Sequence, residues 1–195
     1  MRAAILRGLA ATCLMVFALP RVAAAEWHFT PMVGLTFLGK TNLFNSDLAA
    51  GNVHKKNLGG SVALLGSGVV GVEGFVVWTP GFLTGNSGLV KSSRSFAAMG
   101  NVVVTTPRRW TEYSLRPFLS AGFGVMNAST TDNVFPEHRT MSAFDIGGGA
   151  IGFLSKRTGL RFDLRYHSTL SRYELLFGRD YLRYMTASVG VVIRR

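Results

Sequence analysis

Eight stretches of this sequence alternate bulky apolar residues with small or polar ones, and none carries a helical repeat of apolar residues. In GLRFDLRYHST, residues 159–169, Leu160, Phe162, Leu164 and Tyr166 alternate with Arg161, Asp163, Arg165 and His167. A period of two sends the first set to one face of a strand and the second to the other. In a soluble sheet the apolar face is the core. In a membrane barrel it meets lipid, and the charges face the lumen.

The other segments are WHFTPMVGLTFL from Trp27, LGGSVALL from Leu58, VVGVEGFVVW ending at Trp78 and SFAAMGNVVVTT from Ser95. They continue with YSLRPFLSAGFGVMN from Tyr113, TMSAFDIGGGAIGFL from Thr140 and LRYMTASVGVVI from Leu182. Large residues recur on one face: Trp27, Phe29, Val33, Leu35 and Phe37 in the first segment, Leu115, Leu119, Phe123 and Val125 in the fifth. The opposite face carries glycine, small polar residues and single charges. Eight strands leave an interior just wide enough for side chains, so small and polar groups suit it. The connections support this choice. GSG at 66–68, PRRWTE at 107–112 and SKRT at 155–158 are short and turn-like, whereas 39–57, 79–94, 128–139 and 171–181 are longer and polar. Outer-membrane barrels alternate short periplasmic turns with long outer loops in this way. The expected fold is all-β: an eight-stranded antiparallel up-and-down transmembrane barrel. Pro31 and Pro117 fall inside expected strands, where each removes a ladder hydrogen bond.

Residues 1–25 have a basic start at Arg2 and Arg7, an apolar stretch from Leu9 to Leu19, and Ala23, Ala24 and Ala25 ahead of Glu26. This is the layout of a secretory signal peptide, so residues 26–195 are expected to be the barrel domain. The single cysteine, Cys13, lies within the leader, which excludes a disulfide framework or thiolate chemistry in the remainder. The net charge of +11 is spread along the chain rather than gathered into a stripe. An exported basic chain points to anionic lipid head groups, lipopolysaccharide or phospholipid, and not to nucleic acid. Trp27, Trp110 and Tyr113 are expected at the periplasmic rim and Phe37 and Trp78 at the outer rim, as an aromatic girdle.

RPFLSAGFGV, then DIGGGAIGFLSKRTGLRFDLRYHST, then a last strand resemble the small outer-membrane barrels of the OmpA/OmpX type. The resemblance implies a last-strand signal read by the barrel-assembly machinery. Ser188, Gly190 and Ile193 match that signal, and Arg195 stands where the family carries an aromatic residue.

Seven ionisable residues are expected in the lumen as a polar network: Glu73, Arg116, Asp145, Arg161, Asp163, Arg165 and His167. Opposite charges on one inward face favour a salt-bridge network that fills the interior over an ion path. Some barrels of this size are lipid A deacylases, which makes a lipid-modifying enzyme an alternative. His167 and Ser168, however, are adjacent on a strand and point to opposite faces. No catalytic residue is assigned, the histidines have no metal-ligand spacing, and no cofactor is expected. Cations in the long stretches (Lys40, Lys55, Lys56, Lys91, Arg94, Arg139, Arg172 and Arg179) outnumber acids there, which suits contact with anionic lipid or a surface partner. The functional expectation is a structural or surface-interaction role, in adhesion or membrane integrity. A narrow pore for small or apolar solutes and a soluble periplasmic lipid-binding barrel are further alternatives.

Overall fold

A computed structural model describes residues 26–41, 54–66, 69–82, 90–107, 115–132, 136–170, 173–174, 178–179 and 181–195. The leader, Trp110 and Tyr113 lie outside the described residues. The strands are β1 (Glu26–Thr41), β2 (Lys55–Leu65), β3 (Val70–Pro80), β4 (Val90–Thr105), β5 (Leu115–Asp132), β6 (Pro136–Phe153) and β7 (Thr158–Thr169). They are followed by the two-residue strands β8 (Tyr173–Glu174) and β9 (Gly178–Arg179), then β10 (Leu182–Arg194). Eight of them close into one antiparallel barrel in the order β1-β10-β7-β6-β5-β4-β3-β2, and β8 and β9 form a separate small hairpin.

Closure by the β1–β10 pair leaves no open sheet edge where the barrel crosses lipid, which hydrocarbon demands of any spanning sheet. Stepping through paired residues from His28 leads to Ala63, Glu73, Asn101, Gly122, Asp145, His167 and Tyr184. The path then returns to β1 near Leu38, displaced by about ten residues. Eight strands with that displacement tilt by roughly 40° and enclose a narrow lumen.

Alternation holds along the strands. On β3, Val72, Val76 and Trp78 are exposed while Gly71, Glu73, Phe75, Val77 and Thr79 are buried. On β5, Leu119 and Phe123 are 69% and 70% exposed, whereas Arg116, Phe118 and Ser120 are buried. The bulky apolar face therefore points outward as a belt around the barrel.

Three expectations need correction. The stretch 128–139 is not a loop: β5 and β6 continue through most of it, pairing as far as Thr131 and Pro136. Lys40, Lys55, Lys56, Arg94 and Arg139 accordingly stand on strands rather than in connections. The stretch 171–181 contains the β8–β9 hairpin. Polar composition reads as loop in sequence, but strands that pass the membrane rim are wetted on both faces and lose their apolar alternation. The inward face, finally, is not only small and polar. It holds two apolar clusters, one including Phe75, Val77, Met99, Met126 and Tyr184, the other Leu65, Val103, Phe118 and Ile151. A lumen this narrow is filled with side chains of whatever polarity packs.

Both prolines are outward-facing. The β1–β10 pairing lapses between Phe29 and Met32, around Pro31, whose ring nitrogen has no hydrogen to give. The same seam is drawn tight by Gly190. A Cβ there would lie 2.6 Å from the Pro31 carbonyl oxygen and 2.5 Å from Met32 Cγ. Gly190→Val should loosen this seam by about 1–3 kcal/mol, read as a lower urea midpoint in lipid vesicles and a weaker fast-migrating unboiled band. Gly74→Ala is the control, since its added methyl meets nothing nearer than the Val62 carbonyl oxygen at 4.0 Å. It should leave both readings unchanged.

Candidate functional site

β7 supplies three consecutive inward positions, Arg161, Asp163 and Arg165, all buried. Directly across the barrel stands β3, with Glu73. The arginines reach over the lumen to it. Arg161 Nη1 lies 2.5 Å from Glu73 Oε1, and Arg165 Nη2 lies 2.5 Å from Glu73 Oε2. Asp163, between the arginines, binds both, at 2.7 Å from Arg161 Nη2 and 2.7 Å from Arg165 Nε. Asp145 on β6 takes a third contact of Arg165, 3.0 Å from Nη1. Asn101 Nδ2 donates to Asp145 Oδ2 at 3.1 Å, and Arg161 Nη1 donates to Ser61 Oγ at 3.2 Å. Two guanidiniums and three carboxylates thus cross-link β2, β3, β4, β6 and β7 through the middle of the barrel.

The charged layer is capped on both sides by rings. Arg165 Cζ lies 4.0 Å from the centroid of Phe75, on the outer side, and Arg161 Cζ lies 4.3 Å from that of Phe118, on the periplasmic side. Phe75 leads into the outer apolar cluster and Phe118 into the periplasmic one. A guanidinium accepts this arrangement because its edge donates in a plane while its face stacks on aromatic carbon. Charges enclosed by apolar layers are costly unless every one is paired, and this cluster pairs each of them.

His167 is placed apart from the ion pairs. Its ring stacks on Phe75 at 5.9 Å and meets Tyr184 at 5.0 Å, and its Nε2 lies 3.2 Å from Thr186 Oγ1. Ser168 is half-buried, and its hydroxyl donates to the Thr169 carbonyl at 3.5 Å. Arg116 lies at the periplasmic end, where it donates from Nε to the Thr106 carbonyl (2.9 Å) and from Nη2 to the Gly66 carbonyl (3.1 Å). Parity along the fifth strand puts Phe118 inward with Arg116; the residues around the charges that sequence reasoning passed over are Phe75, Asn101 and Ser61. Strand parity could have found Phe75, because it shares the phase of Glu73.

Trp27 and Trp78 are outward-facing and exposed, and Phe37 is half-buried with its ring 6.3 Å from that of His54. Of the last-strand triplet, Ser188 is half-buried, Gly190 is buried against β1, and Ile193 is outward. Among the described residues no group of three His, Cys, Asp or Glu side chains is arranged to hold a metal.

Solved structures with this fold include Neisserial surface protein A, with a TM-score of 0.63 at 10% identity over 87% of this chain and 98% of that one. The outer membrane protein AlkL gives 0.55 at 15% identity over 91% and 93% of the two chains. Ail, the attachment invasion locus protein of Yersinia pestis, gives 0.51 at 15% identity over 89% and 99%. Identities this low speak for the fold alone. No curated protein matches the chain by sequence. A family model described as outer membrane protein beta-barrel domain matches residues 9–194, nearly the whole sequence. With the closed barrel and its lipid-facing apolar belt, that match makes the chain a member of the outer membrane protein β-barrel family.

Proposed function

We propose that this protein is a sealed barrel which acts through the surfaces it presents to the membrane and the exterior, in a structural or surface-interaction role such as membrane integrity or adhesion. The observation that carries the reading is the filled lumen. A charged layer held by the ion pairs of Arg161 and Arg165 lies between two apolar clusters. An ion would have to break paired charges and then cross hydrocarbon-like packing, both costly. Catalysis has no comparable support, since His167 is buried in the lumen and Ser168 faces away from it. The outer end, by contrast, presents exposed cations on several strands: Lys40, Lys56, Arg94, Arg139 and Arg183. Such groups suit contact with anionic lipid or an anionic surface partner. The name of Ail, an attachment and invasion protein, adds a surface role on a related fold.

Planar-bilayer recording tests the reading directly. The purified barrel should insert without producing unitary current steps, and regular steps would overturn it. The charged layer should also contribute to stability in an asymmetric way. Arg165→Ala leaves Glu73, Asp163 and Asp145 facing one remaining guanidinium and should cost about 3–5 kcal/mol. Replacing the whole cluster by apolar side chains of similar volume should cost far less. Urea titration in lipid vesicles, read by gel mobility with and without boiling, separates the two.

A further inference from the structure

On β1 the even-numbered residues His28, Thr30, Met32 and Thr36 are buried, and the odd-numbered Trp27, Phe29, Val33 and Leu35 are exposed. Lys40 is even-numbered, so alternation alone would aim it into the lumen. It is exposed instead, because the phase changes just before it. Phe37 pairs with Met185 and Lys40 with Arg183, so Leu38 and Gly39 together oppose Tyr184 alone. This is a β-bulge, a feature that re-aims the side chains beyond it. Leu38 holds it at φ 52°, a left-handed conformation that costs a residue with a Cβ about 1–2 kcal/mol. Gly39 is buried in place of Lys40.

The bulge sets Lys40 directly opposite Arg183, also exposed, on the outward face of β1–β10. Facing residues on an antiparallel pair have Cβ atoms about 5 Å apart, and like charges so placed repel. No carboxylate among the described residues forms an ion pair with either. The guanidinium of Arg183 is steadied by Tyr181, whose ring centroid lies 5.5 Å from its Cζ. The periplasmic rim differs. There Arg194 has Glu26 at 3.3 Å and donates to the Lys156 carbonyl. A strained bulge that sets two cations face to face, with no carboxylate partner among the described residues, suits an anion between them.

We infer that Lys40 and Arg183 form a cleft for the phosphate of a phosphorylated lipid in the outer leaflet. The charge of a phosphate monoester matches two adjacent cations, and a guanidinium binds phosphate oxygens through two parallel bonds. A lipid is the occupant because the cleft faces sideways, at the edge of the apolar belt. Leu35 and Leu38, both exposed on the same strand, lie beneath it to receive an acyl chain.

The inference extends the reading of a barrel that acts through its surfaces, and its test is separate from conductance. Native mass spectrometry from detergent micelles would count retained diphosphoryl lipid A on the wild type and on Lys40→Gln/Arg183→Gln. The double variant should retain about tenfold less, while keeping the heat-sensitive gel shift of a folded barrel. Arg94→Gln/Arg139→Gln removes the same charge from β4 and β6, on the other side of the barrel, and should retain lipid as the wild type does. Phosphatidylcholine should be held weakly by all three proteins, and inorganic phosphate should not displace lipid A at equal concentration. Equal retention by the Lys40/Arg183 variant would overturn the cleft. So would equal loss in the Arg94/Arg139 variant, or wild-type retention of phosphatidylcholine matching that of lipid A. Displacement by inorganic phosphate would overturn the lipid as occupant. Current steps with lipid A still retained would overturn the sealed-barrel reading and leave the cleft standing.

Discussion

The ladder between β1 and β10 is the contact on which the rest depends. Hydrocarbon offers no hydrogen-bond partner, so a sheet in a membrane stays viable only when its first and last strands pair. The seam bears this demand despite Pro31, which interrupts the pairing, and it does so through close approach at Gly190 on one side. Once the seam closes, the stagger around the circumference is fixed, and with it the strand tilt and lumen width. Lumen width in turn decides that Arg161 and Arg165 can reach Glu73 on the far wall. The ion-pair layer is therefore a consequence of closure as much as of sequence, because no pair of neighbouring strands contains all its members.

Strand number, strand identity and facing were readable in the sequence because the period of two persists through every segment that crosses lipid. Leu119 and Phe123 must be outward if Arg116 and Ser120 are inward, and one assignment fixes the rest of the strand. The limits of β4, β5 and β6 were not readable, for the physical reason that signals them elsewhere. Beyond the membrane rim water wets both faces, and residues such as those at 128–139 carry no alternation to betray a strand. The bulge at Leu38 was signalled only by Gly39 in FLGKT, a glycine that fits a bulge or a strand end equally well.

The lumen was half legible. Parity placed the charged residues of β3, β6 and β7 on the inward face, but it assigns facing and not distance. That Arg161 and Arg165 meet Glu73, while Arg116 meets the carbonyls of Thr106 and Gly66, follows from the stagger, which one strand's pattern does not contain. The aromatic lid at Phe75 was overlooked for a different reason. An inside-out barrel suggests a polar interior, and Phe75 and Phe118 break that rule. They are there because a buried guanidinium needs its faces covered as well as its edges bonded, and carbon rings do this without competing for the carboxylates.

The same side-chain type is used in opposite ways at two depths of the barrel. In the lumen Arg161 and Arg165 are dry and matched by carboxylates at bonding distance, so their charge is largely offset locally. At the outer rim Arg183 is exposed, faces Lys40, and has no carboxylate within reach among the described residues, so its field acts on whatever adjoins the barrel. Repulsion between two exposed cations is cheap in water and grows as lipid lowers the local dielectric. The left-handed turn at Leu38 is what holds that pair outward. The interior charges tie opposite walls of the barrel together, and Lys40 and Arg183 face outward.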